Sequence, residues 1–131
     1  MKTEEVINKL RQLKLDYVKQ KVGQNPAVLP SHLAEFLGYA TILYDHYAEF
    51  IQAYRQLEYK VLSEESGDRA EALEAGKRVS MAEMERNITL RMAEVKGKRE
   101  RLEAVVKGVT LHINGCQSLM RSWGDEAKGV R

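Results

Sequence analysis

The stretch LAEFLGYATILYDHYAEFIQAYRQLEYKV, residues 33–61, decides the fold. Its apolar positions are Leu33, Phe36, Ala40, Leu43, Tyr47, Phe50, Tyr54, Leu57 and Val61, in steps that alternate three and four. That rhythm lays one continuous stripe along a helix and has the form of a coiled-coil seam. Leu37, Tyr44 and Ile51 widen the stripe on one side, as in a helix that touches two neighbours of a bundle. Ser31 is the natural start of this helix, which is predicted over 31–65. At about 1.5 Å per residue it is too long for one short partner to cover.

Toward the N-terminus, Gly23 to Pro30 holds both prolines and reads as a loop. Before it, Val6, Ile7, Leu10, Leu13, Tyr17 and Val18 recur at helical spacing. Thr3 is the expected N-cap, Glu4 and Glu5 sit where the helix dipole favours acids, and Gly23 is the expected C′ residue. The first helix is predicted over 3–22. Toward the C-terminus, Ser63 to Arg78 is polar, acidic and glycine-containing. It is expected to be a middle loop, about 63–79, or to hold a loose short helix at roughly 69–77. Ser80-Met81-Ala82-Glu83 has the capping-box form, in which serine and glutamate satisfy each other's backbone donors. A third helix is predicted over 80–123, with a short tail at 124–131. The fold class expected is all-α: two long antiparallel helices plus a short N-terminal helix, forming a bundle or coiled-coil-like single domain over 1–131 that is oligomeric.

Composition narrows the setting. No run of 18 uncharged apolar residues occurs, so no membrane span is expected. The segment Met1-Lys2-Thr3-Glu4-Glu5 lacks the apolar core of a signal peptide. Cys116 is the single cysteine, which rules out an intrachain disulfide and suits a reducing, cytoplasmic setting. Net charge is +2, but it is unevenly spread. Residues 1–30 carry six bases and three acids, 31–75 three and nine, and 76–131 twelve and seven. Basic ends and an acidic middle attract one another within a molecule or between copies, or leave one surface positive enough for a phosphate backbone.

Two faces of the last helix stand out. Lys96-Gly97-Lys98-Arg99-Glu100-Arg101 is a basic insertion whose Lys98 and Arg99 straddle the apolar stripe between Val95 and Leu102. Burying two unpaired cations there would cost several kcal/mol each, so the seam is expected to open at this point. Solvent, an acidic partner, a phosphate, or the chain's own Asp45, Glu49 and Glu58 are the candidates to meet it. On the opposite side Leu90, Gly97, Ala104, Gly108, Leu111 and Gly115 share a narrow arc. Helix-interior glycine costs about 1 kcal/mol relative to alanine, so glycines aligned on one arc suggest close approach by another backbone. A second copy of the chain is one visitor; the first helix of the same chain is the other.

Tyr47 and Tyr54 belong to the seam and are expected in the core, whereas Tyr39 and Tyr59 lie off it and are candidates to stack on bases. No catalytic constellation is visible, and no enzyme activity or cofactor is expected. His32, His46 and His112 have no H-x-x-x-H spacing, and the His46/Glu49 pair lacks the further carboxylates of a bundle metal centre. No metal site is expected, and Cys116 reads as a small core residue.

In order and pattern, Leu57-Glu58-Tyr59-Lys60-Val61-Leu62, the Ser66-Gly67-Asp68 loop, Ser80-Met81-Ala82-Glu83-Met84 and Ser118-Leu119-Met120-Arg121 resemble the UvsY-type recombination mediators of bacteriophages. That family's basic segment before the middle loop is represented here only by Lys60 amid acids. The resemblance implies a ring-like homo-oligomer that binds single-stranded DNA and helps a recombinase displace single-strand-binding protein, without hydrolysing nucleotide. Lys96, Lys98, Arg99 and Arg101, together with Arg91, would then contact phosphates without reading sequence. The rival expectation is a small helical interaction module, such as an adaptor, a chaperone or an inhibitor of host defence of the anti-CRISPR kind, that docks a helix face on another protein.

Overall fold

The computed structural model describes residues 1–129. Among these the chain is helical, in the order α1 Thr3–Lys19, a 3₁₀ turn Val22–Gln24, α2 Leu29–Glu74 and α3 Met81–Ala127, with no strand. The two long helices pack against each other in antiparallel sense. Tyr44 meets Thr110, Tyr47 meets Glu103, and Glu65 meets Arg91. The all-α class with one short and two long helices is therefore what forms.

Several boundaries differ from the sequence expectation. The N-cap of α1 is Lys2, whose carbonyl accepts the Val6 N–H at 3.1 Å, and no side chain caps that end. Thr3 lies inside the helix, with its hydroxyl 2.9 Å from Nδ1 of His46 on α2. The helix stops at Lys19 rather than residue 22, and Lys21 takes the left-handed conformation at φ 50°. Gly23 is thus no C′ residue. A Cβ there would lie 2.3 Å from the Tyr17 hydroxyl oxygen, so glycine lets the turn close over that ring. α2 begins at Leu29, two residues before Ser31, because Pro30 occupies the first turn, where its missing N–H is not needed.

The largest correction concerns the middle loop. Residues 63–74 are helical, and the connection to α3 is only 75–80. The helix ends where Gly76 adopts φ 78°, with Lys77 N–H on the Ala72 carbonyl and Gly76 N–H on that of Leu73. That is a Schellman ending. The Ser66-Gly67-Asp68 segment is therefore helix and not loop. Ser80 does cap α3, accepting the Glu83 N–H at 3.1 Å. α3 runs on through Gly124 to Ala127, so the expected tail is shorter than 124–131, and its last two residues lie outside those described.

The chain forms two compact units. One comprises Met1–Tyr47 and the chain from Glu103 on. Its buried side chains include Leu10 of α1, Leu29, Phe36 and Leu43 of α2, and Val109 and Cys116 of α3. The other is Ala48–Leu102, a helix pair with Tyr54, Val61 and Met92 at its centre, flanked by Phe50, Leu57, Ile88 and Val95. Phe50, Tyr54, Leu57 and Val61 are seam residues of the opening stretch, and Ile88, Met92 and Val95 are their partners on α3. No helix of the described residues is long and apolar enough to cross a membrane.

Candidate functional site

In the unit Ala48–Leu102 the basic side chains divide. Arg91 is committed to its own protomer: it is paired with Glu64, and its Nη1 donates to Glu65 Oε1 at 3.2 Å. The hydrogen bond from Arg91 holds the Glu64 carboxyl below its ordinary range. Arg99 is half-buried, its guanidinium 4.8 Å from the centre of the Tyr54 ring. It packs over the seam, so the expected opening of the seam does not apply to it. Lys96, Lys98 and Arg101 are exposed, and Lys98 lies 3.6 Å from Glu94, itself exposed. Residues 48–102 hold eleven Lys/Arg and eleven Asp/Glu, so this unit has no net charge. Tyr59 is 74% exposed, whereas Tyr39 is half-buried.

The small-residue arc also divides. Leu90 is 69% exposed, and nothing lies within 4 Å of a Cβ built on Gly97. In the other unit Leu111 is 71% exposed and Gly115 is equally open. Gly108 is different, because a Cβ there would sit 3.3 Å from Lys14 Nζ of α1. Ala104 and Gly108 line a groove whose opposite wall is Ile7, Leu10, Arg11 and Lys14. At Gly108 the first helix is the visitor, whereas Ala104, Leu111 and Gly115 are exposed.

The same unit contains a buried polar cluster. His32 on α2 and His112 on α3 bring their Nε2 atoms to 2.9 Å. Cys116, one turn beyond His112, places Sγ 3.7 Å from His112 Nε2. His32 is 7% exposed and Cys116 1%. Aromatic rings wall the cluster: Phe36 lies 4.5 Å from His112 and Tyr17 4.7 Å, centre to centre. Burial lowers the pKa of His112 to about 4, assisted by the charges of His32 and Lys14. Burial also lowers that of His32, against the opposing pull of Glu35 and Asp16, and raises those of the Cys116 thiol and the Tyr17 phenol. Near neutral pH the cluster therefore consists of neutral imidazoles and a thiol.

Protein-family models, curated proteins and solved structures give no match to the chain.

Chemically, the described residues offer two assets: a bare apolar stripe on α3 and a set of soft and borderline donor atoms beneath the aromatic rings. Periodicity reveals the first, whereas linear spacing hides the second, because 80 residues separate His32 from His112. The legible half was His112 and Cys116, which an i, i+4 spacing puts on one helix face.

Proposed function

We propose that this chain is a non-enzymatic helical interaction protein that docks through the outward face of α3, in the first place on a second copy of itself. The exposure of Leu111 beside an open Gly115 carries this reading. Transferring a leucine side chain out of water contributes about 1.5–3 kcal/mol, and a neighbour without a Cβ lets a second backbone approach closely enough to do so. Leu90 and Gly97 repeat the pairing of exposed leucine and open glycine in the other unit. Residues 90, 97, 104 and 111 follow one another in steps of seven, the repeat on which helices associate side by side. The neutral Ala48–Leu102 unit offers a second copy no electrostatic repulsion.

Light scattering of the full chain at high micromolar concentration tests this reading. The expected mass is a multiple of the 15.0 kDa protomer, reduced to the protomer by Leu111→Lys. A wild-type protein that elutes and scatters as the protomer removes the self-association.

A second reading is favoured by one observation, the exposure of Lys96, Lys98 and Arg101 along α3. In it the assembled protein binds single-stranded DNA through these cations, as a mediator that helps a recombinase displace single-strand-binding protein. Arg91 and Arg99 are occupied within the protomer and contribute less than the sequence suggested. Titration with labelled oligo-dT distinguishes the readings. Salt-sensitive binding weakened by Lys96→Glu and Arg101→Glu supports the mediator, and no binding at low salt eliminates it.

A further inference from the structure

We propose that His32, His112 and Cys116 are a binding site for one borderline d-block cation, with Zn²⁺ as the natural occupant and Co²⁺ as its spectroscopic stand-in. The three donor atoms, two imidazole Nε2 and one Sγ, lie within 4.8 Å of one another. They come from two helices, and aromatic rings surround the two histidines. A tetrahedral zinc ion with Zn–N near 2.05 Å and Zn–S near 2.3 Å separates two nitrogens by about 3.3 Å and a nitrogen from a sulfur by about 3.6 Å. The distance from His112 Nε2 to Sγ, 3.7 Å, already matches, and that from His32 Nε2 to Sγ lies within 4.8 Å. The Nε2-to-Nε2 distance of 2.9 Å requires the imidazoles to part by about 0.4 Å, within reach of small rotations of two side chains.

The donor set selects the metal class. Imidazole and thiolate suit zinc and its neighbours, whereas magnesium and calcium require oxygen ligands. The burial that keeps both imidazoles neutral keeps their lone pairs available. Binding forms two M–N bonds and one M–S bond. The Cys116 S–H breaks and its proton leaves to solvent. The proton shared between the two Nε2 atoms moves to the Nδ1 of whichever ring carries it. A divalent ion with one thiolate leaves one net positive charge, and the carboxylates of Asp16 and Glu35 act on His32 from nearby. Three protein donors leave a fourth tetrahedral position for water. The ion would tie α2 to α3 beside the contacts that His112 makes with His32 and Phe36.

The test uses the full chain, stripped of metal under reducing conditions and titrated with Co²⁺. The expected result is a one-equivalent end point with a thiolate-to-cobalt charge-transfer band and the intense visible bands of four-coordinate cobalt, both bleached by Zn²⁺. Cys116→Ser removes the charge-transfer band, and His32→Gln weakens binding by more than about a hundredfold, since loss of outer-shell partners alone costs ten- to hundredfold. His46→Gln, which alters a histidine outside the cluster, binds as the wild type does. Zn²⁺ also raises the wild-type melting temperature and leaves that of Cys116→Ser unchanged. A wild-type protein with no thiolate-to-cobalt band at one equivalent overturns the proposal without reference to any variant. So does a Cys116→Ser protein with the wild-type spectrum.

Discussion

Gly23 shows how one residue supports the polar cluster. Its missing Cβ gives room to the Tyr17 hydroxyl, and the Tyr17 ring packs on both His32 and His112. Gly23→Ala must displace that ring, and overpacking of this kind costs about 1–3 kcal/mol. Urea unfolding should show that loss, while a change of less than about 0.5 kcal/mol would mean that the ring yields freely. Arg91 gives a pH-dependent counterpart. The Glu64 carboxyl is held below its ordinary pKa by Arg91, so the folded state binds its proton less readily than the unfolded chain does. The stabilisation is therefore present above the unfolded value of 4.5 and fades as pH falls below it through the depressed folded value. Arg91→Ala should lower the melting temperature at pH 7 and converge with the wild type in strong acid. An equal deficit at both pH values would show that the arginine acts by packing its stem and not by charge.

At the scale of elements, the seam of α2 was legible because it repeats: from Leu33 to Val61 every third or fourth residue is apolar, and Phe36, Ala40, Leu43, Tyr54 and Val61 are buried. What was not legible was the length of α2. Beyond Val61 the stripe gives way to acids and Gly67, which read as a loop when weighed by composition alone. The helix persists because Glu64 and Glu65 are tied to Arg91 across the pair, and Arg69 Nε donates to the Val79 carbonyl at 3.0 Å. These are contacts with α3 and its approach, which no local window contains. The candidate cluster is illegible in the sequence for the same reason, since only the register of α2 on α3 decides which histidines meet. Gly67 makes the correction testable. With open space around it inside a helix, Gly67→Ala should raise stability by about 1 kcal/mol. In a loop the same change would bring no gain, so unaltered or lower stability in denaturant would contradict the extended helix.

For the molecule as a whole, the decisive question is whether the bare face of α3 is covered in solution, and the choice of glycine determines whether an experiment can answer it. Gly108 is a poor probe, because a side chain there meets Lys14 of the same protomer, and any loss of assembly would be confounded with displacement of α1. Gly115 has no neighbour within 4 Å. A leucine at that position fits the isolated protomer and removes a helix-interior glycine, which is worth roughly 0.8–1 kcal/mol of added stability. In an assembly that grips this face, the same leucine stands between the two backbones. Gly115→Leu should therefore move two observables in opposite directions: the protomer unfolds at higher denaturant, while the mass from light scattering falls. No defect confined to the protomer produces that combination, because misfolding lowers stability and an irrelevant surface leaves the mass alone. A Gly115→Leu protein that is more stable and keeps the wild-type oligomeric mass would place the contact elsewhere on the chain.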